Sequence, residues 1–180
     1  MLLKHFKSKG LKTVGVEPTN ISKIANQNGI NTIQSFFNEE ISESIIKDFN
    51  KAKLITCTNV FAHMSTLGDV MEGIVNLLDE DGYFCFENHY IMEILEKVQY
   101  DTFYHEHLRT YSLISLNKLF EMYNLNLFDA MNVSRYGGSI RCVVSKKKIS
   151  QTERLRSLIK KEKNHFCLLY TSPSPRDGLL

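Results

Sequence analysis

Short apolar runs alternate with segments of helical period along most of this chain, and that alternation constrains the fold more than any other feature. Leu2, Leu3 and Phe6 stand at helical spacing ahead of Gly10, and Thr13 to Val16 then forms a short apolar strand. Asn20 is placed to cap a helix carrying Ile21, Ile24 and Ala25, Gly29 ends it, and a strand is expected from Ile30 to Phe37. Ile41, Ile45 and Phe49 mark a third helix, Leu54 to Thr58 a strand, and Leu67, Val70, Met71, Ile74 and Leu78 a fourth helix. Asp81-Gly82 is expected to turn the chain into a strand at Tyr83 to Phe86. Strands that are apolar throughout and separated by amphipathic helices are buried on both faces, which predicts an α/β chain with a mostly parallel sheet. Such a sheet binds ligands at the carboxyl ends of its strands.

The last third differs in kind. A helix with Ile91, Ile94, Leu95 and Val98 leads into the polar, aromatic segment YDTFYHEHLRTYS, and a helix with Leu116, Leu119, Phe120 and Tyr123 follows. Two strand-like runs, Leu125 to Val133 and Ile140 to Ser145, are joined by Ser134-Arg135-Tyr136-Gly137-Gly138-Ser139, a length and composition that suit a hairpin. An antiparallel last strand on a parallel sheet argues against the all-parallel nicotinamide-binding fold and for the class I methyltransferase arrangement.

Composition removes several function classes. The chain has 180 residues, 43% of them hydrophobic, enough for a well-buried core and unlike a disordered or fibrous protein. Its 22 basic and 20 acidic residues leave a net charge of +2, and the basic residues form no aromatic-interleaved face, so nucleic acid is not an expected partner. Lys146 to Lys148 and Arg154 to Lys163 read as solvated surface. Cys57, Cys85, Cys142 and Cys167 lie too far apart for a metal knuckle or a disulfide framework, so a reducing, cytoplasmic location is expected. Charges interrupt every apolar run, so no membrane span is expected, and MLLKHFKSKG is too short and polar for a secretory leader.

Candidate site residues stand at the strand ends. Glu17 closes the first strand, where an acid accepts hydrogen bonds from ribose hydroxyls about 20 residues beyond a glycine loop. That count places the loop and its strand ahead of Leu2, which already opens a helix. A carboxylate capping the next helix is the alternative for Glu17. His63 follows the strand Leu54 to Thr58, either as a structural histidine or as a site residue, and Asn59 is either a turn residue or a polar contact to a ligand. Tyr104-His105-Glu106-His107 supplies the second cluster: a histidine of pKa about 6.5 takes a proton near neutrality, and a tyrosine hydroxyl donates to a developing oxyanion. If the segment is extended, Glu106 points away from His105 and His107, which then become candidate metal ligands. A polar loop on the sheet rim is the remaining reading.

Taken together, GVEPTNISKIANQNGI, TNVFAHM, QYDTFYHEHLRTYSL and RYGGSIRCVVSKK resemble the S-adenosyl-methionine-dependent sugar C-methyltransferases, in the family's order and over about Val14 to Lys148. QYDTFYHEHL is the specific piece. The resemblance implies a Rossmann-like methyltransferase domain, S-adenosyl-L-methionine as cofactor and a nucleotide-linked keto-deoxysugar as substrate. It makes Glu17 the ribose-binding acid, Pro18 a neighbour of the adenosine, Phe37 an adenine neighbour and Asn59 a contact near the methionine part. It also makes His63, Tyr104, Glu106 and His107 the catalytic cluster, with His107 the base and no metal in the reaction.

The family also carries an N-terminal zinc-binding domain and a C-terminal domain, so the resemblance implies a fragment. Residues 1–148 are expected to be a partial cofactor domain without its first strand, 149–166 the opening helix of the C-terminal domain, and 167–180 a non-native or disordered tail. Pro173 and Pro175, two of the chain's three prolines, fall in that tail. Without the glycine turn, this chain is expected to bind the cofactor weakly or not at all. Three rivals stand beside this reading. One is a nicotinamide-dependent oxidoreductase using Glu17. Another is a metal-dependent hydrolase or epimerase using His105 and His107. The third is a non-catalytic Rossmann-like interaction module. Oligomeric state is not legible.

Overall fold

The computed structural model describes residues 2–171, with side chains through Phe166. Residues 172–180, which hold most of the expected tail, lie outside the described residues. The chain divides into two compact units, one of Met1–Ile55 with Thr66–Gly82 and one of Thr56–Ser65 with Tyr83–Leu180.

The first unit contains α1 (Leu2–Ser8), β1 (Gly15–Val16), α2 (Ile21–Gln27), β2 (Thr32–Ile33), α3 (Glu39–Phe49) and α4 (Leu67–Leu77). β1 and β2 pair in parallel, Gly15 with Thr32 and Val16 with Ile33. The strand expected from Ile30 to Phe37 is only two residues long, because the Ser35 N–H turns back onto the Ile33 carbonyl at 3.2 Å. Asn20 does not cap α2: its backbone is already helical and its side chain makes no capping bond. Thr19 does so instead, its Oγ1 accepting from the Ile21 N–H at 3.2 Å. α3 starts on Asn38, whose side chain accepts from the Ile41 N–H at 2.8 Å. Val70, Met71, Ile74 and Leu77 bury one face of α4. Gly73 lets that helix approach closely, since a Cβ there would meet the Asn38 carbonyl at 2.8 Å and the Phe37 ring at 3.0 Å.

β3 (Ala52–Thr58), β4 (Leu78–His89), β5 (Asn126–Val133) and β6 (Ser139–Ser145) form a four-stranded sheet in the order β3-β4-β6-β5. β6 runs antiparallel to both β4 and β5, so the expected hairpin returns its last strand between β5 and β4. The structure is therefore mixed α/β with an antiparallel last strand. Asp81-Gly82 does not make the expected turn, because β4 has already begun at Leu78. The glycine is needed for another reason: a Cβ on Gly82 would stand 2.7 Å from the Ala52 carbonyl.

Strand periodicity divides β4 in the second unit. Phe84 and Phe86 point to one face, where their rings stack at 5.0 Å and pack with Phe61 and Phe120, all four no more than 1% exposed. Glu87 and His89 alternate to the other face, and Glu87 pairs with its register partner Arg141 at 2.8 Å. The second unit is completed by α5 (Ile91–Glu96), α6 (Leu113–Met122) and α7 (Glu153–Thr171). α7, the helix expected over 149–166, keeps its backbone helical beyond the expected boundary at Cys167. A capping box between Ser112 and Ser115 opens α6, and the fully buried Glu162 of α7 accepts from the N–H groups of Leu113 at 2.6 Å and Ile114 at 3.0 Å. Among the described residues no helix is long and apolar enough to cross a membrane.

Candidate active site

The second unit brings three histidines and two tyrosines together. His63 ends a 3-10 turn, Phe61–His63, that directly follows β3. Phe61, wholly buried and stacked on Tyr111 at 5.5 Å, anchors that turn in the aromatic core. Downstream, the Arg109 guanidinium grips it by donating to the carbonyls of Met64 and, at 3.2 Å, Ser65. The His63 ring thereby lies 4.8 Å from that of His107.

Tyr104 to His107 is not extended. The His107 N–H returns to the Tyr104 carbonyl at 2.9 Å, a turn that puts residues 104 and 107 on one side. Their rings stand 4.2 Å apart and the Tyr104 hydroxyl lies 3.0 Å from His107 Nε2. On the other side of the ring, Nδ1 is 2.8 Å from the Thr102 carbonyl. A carbonyl only accepts, so Nδ1 carries a proton, and in the neutral imidazole Nε2 then holds its lone pair toward Tyr104. In that tautomer the basic nitrogen of His107 faces a hydroxyl.

The turn also explains which expected members stay out. Glu106 and His105 occupy its exposed middle positions, and neither joins the ring cluster around His107. The alternation argument for this segment fails because it assumed a strand. Among the described residues no group of three or more His, Cys, Asp or Glu side chains converges to hold a metal.

His89 is the member that the sequence argument missed. It ends β4, with its ring 4.9 Å from His107 and 6.2 Å from Tyr136 of the β5–β6 hairpin. Burial, and then the neighbouring His107 and His63, hold its pKa below the ordinary histidine value. The strand-end rule that pointed to Asn59 and His63 applies equally to the Glu87-Asn88-His89 end of β4, and only the register shows that it faces this cluster.

Asn59 follows β3 in a left-handed conformation at φ 52°, with its N–H held by the Glu87 carbonyl at 2.8 Å. Its side-chain Oδ1 is buried without a hydrogen-bond partner, as are both polar atoms of the Asn88 amide. Buried polar atoms are ordinarily satisfied, so these orphans stand out at the ends of β3 and β4. Cys57, nearby on β3, is no nucleophile, since burial pushes its thiol up to about 11.

The first-unit candidates behave differently. Glu17 accepts from the Thr19 N–H at 2.9 Å through Oε1, a bond to the segment ahead of α2 and not to the helix itself, while Oε2 takes no hydrogen bond among the described residues. Pro18 is exposed. Phe37 packs against Gly73, whereas Phe36 beside it is 78% exposed.

Comparisons with known proteins agree with this architecture. C-methyltransferase NovU of Streptomyces niveus is 37% identical over 139 residues, which are 77% of this chain and 33% of NovU, so the chain spans one third of this curated relative. A SAM-dependent methyltransferase from Anabaena variabilis superposes with a TM-score of 0.58 at 11% identity, over 80% of this chain and 72% of that one. The 1,6-didemethyltoxoflavin-N1-methyltransferase of Burkholderia thailandensis, solved with S-adenosylhomocysteine, gives a TM-score of 0.56 at 16% identity, over 81% and 65%. At these identities the two structures establish the fold, which is that of Rossmann-like methyltransferases. Residues 1–130 match the family described as methyltransferase domain, and this chain therefore belongs to that family.

Proposed function

We propose that this chain is the catalytic part of an S-adenosyl-methionine-dependent C-methyltransferase that acts beside the ketone of a nucleotide-linked deoxysugar. The hydrogen-bonded series Thr102 carbonyl, His107 and Tyr104 hydroxyl carries the reading, since it holds an oriented imidazole and a hydroxyl side by side. NovU, a C-methyltransferase by name, supports methylation at carbon.

Carbon next to a ketone becomes nucleophilic only when it loses a proton and its enolate charge is stabilised. In this reading His107 Nε2 takes the proton, and the electron pair of the broken C–H bond moves toward the keto oxygen. The Tyr104 hydroxyl turns from Nε2 to donate to that oxygen, and the Thr102 carbonyl keeps the imidazolium oriented through Nδ1–H. His63 lies on the same ring and is the second candidate donor. When bound, S-adenosyl-L-methionine supplies an electrophilic methyl group, which leaves sulfur as a neutral thioether when the new C–C bond forms. The orphaned Asn59 Oδ1 fits an ammonium donor of the methionine part, and the Glu17 Oε2 fits a ribose hydroxyl. Pro18 and Phe37 are assigned to the adenosine end on the strength of the resemblance.

A nicotinamide-dependent oxidoreductase is not favoured, because β6 runs antiparallel between β4 and β5 and the family match is to methyltransferases. The test is proton exchange in deuterium oxide without any methyl donor, using a nucleoside diphosphate 4-keto-6-deoxyhexose. The chain should exchange the proton next to the ketone, and His107→Asn should slow that exchange by about 100-fold or more. No exchange by the unaltered chain sinks the proposal.

A further inference from the structure

The hairpin between β5 and β6 holds three consecutive residues at positive φ: Tyr136 at 52°, Gly137 at 80° and Gly138 at 138°. The glycines adopt these angles freely. A tyrosine does not, and a bulky residue there is strained unless its surroundings hold it. Here they do. The Gly137 carbonyl accepts from Lys97 Nζ at 2.6 Å and Gln99 Nε2 at 2.9 Å, and the Gly138 N–H closes onto the Arg135 carbonyl at 3.0 Å. Glu93 packs so closely on Gly138 that a Cβ there would meet it at 2.7 Å.

This clamp fixes the backbone while leaving the Tyr136 side chain out of the core. The residue is 66% exposed, and its one ring contact is the perpendicular one to His89. Glycine would relieve the strain and lose little packing beyond that one ring contact, so stability gives little reason for a tyrosine. Position does: Tyr136 stands two ring contacts from the base, 6.2 Å to His89 and then 4.9 Å to His107. On the function proposed above, the hexose is the part of the substrate brought to His107, so it is the sugar, rather than the base beyond the diphosphate, that a ring beside this cluster would meet.

We propose that Tyr136 is a substrate-binding residue whose ring is the platform on which the hexose of the nucleotide-linked substrate stacks while His107 removes its proton. This rests on the function proposed above. The test compares binding of thymidine diphosphate glucose with that of thymidine diphosphate, in the unaltered chain and in Tyr136→Phe, Tyr136→Ala and Tyr136→Gly, together with the melting temperature of each. The unaltered chain and Tyr136→Phe should prefer the sugar nucleotide, Tyr136→Ala and Tyr136→Gly should lose about tenfold of that preference, and Tyr136→Gly should melt no lower than the unaltered chain. A preference that survives Tyr136→Gly overturns the platform alone. An unaltered chain with no preference, including one that binds neither probe, overturns the platform and the sugar-substrate reading together. A Tyr136→Gly chain that melts well below the parent shows the ring to be structural and also overturns the proposal.

Discussion

The two units support their functional residues by different means. In the second, His63 hangs from the wholly buried Phe61, His89 ends a strand paired with β6 from Tyr83 onward, and His107 is fixed through both ring nitrogens. In the first, Glu17 and Pro18 follow a strand of two residues, and the Glu17 side chain has one local bond to Thr19, while its backbone N–H donates to the Ile33 carbonyl at 3.0 Å. The contrast shows what each kind of chemistry requires. A base must be oriented before its substrate arrives, so a core and a ladder hold it in advance. The cofactor contacts proposed in the first unit rest on shorter, more local support.

Four measurements would break or sharpen that contrast. Phe61→Ala should cost about 3–5 kcal/mol in urea unfolding, because it empties the centre of the aromatic cluster, and it should release His63 from His107. Glu162→Ala should cost about 2 kcal/mol in the same assay, since it leaves the Leu113 and Ile114 N–H groups unpaired inside the second unit.

A smaller effect is expected from pH. His89 binds its proton less readily in the folded chain than in the unfolded one, so the unfolded state takes up more protons as the pH falls. Its contribution is complete above the ordinary histidine value and is lost as the pH drops through the depressed one. Melting curves between pH 7.5 and 5 should show that loss, and His89→Gln should flatten it. Last, Phe36→Ala in the first unit should change stability by less than about 0.5 kcal/mol, because that side chain is 78% exposed. A cost like that of Phe61→Ala would show the first unit to be as tightly built as the second.

Much of the architecture is legible from local pattern. The amphipathic helices, the β5–β6 hairpin and the antiparallel last strand follow from periodicity and from Gly137-Gly138. The spacing of Tyr104 and His107 already offers a base and a donor three residues apart. Where the local argument fails, a specific neighbour is responsible. Asn20 loses the cap of α2 to Thr19, β2 stops at the Ser35 turn, and the alternation that would pair His105 with His107 is lost because their segment turns instead of extending. None of these partners is visible in a hydrophobic pattern, since each depends on where one polar group finds its hydrogen bond.

By itself the sequence determined the order of elements, the hairpin and the residue types that can move a proton, because these depend on neighbours within a few positions along the chain. Tertiary structure alone decided that His89 and Tyr136 stand with His107, that the Thr102 carbonyl selects its tautomer, and that Asn59 keeps an unpaired oxygen at a strand end. The physical reason is reach. Positions 89 and 136 meet through strand register, and register is settled by the cooperative pairing and burial of whole strands rather than by any residue's own preference.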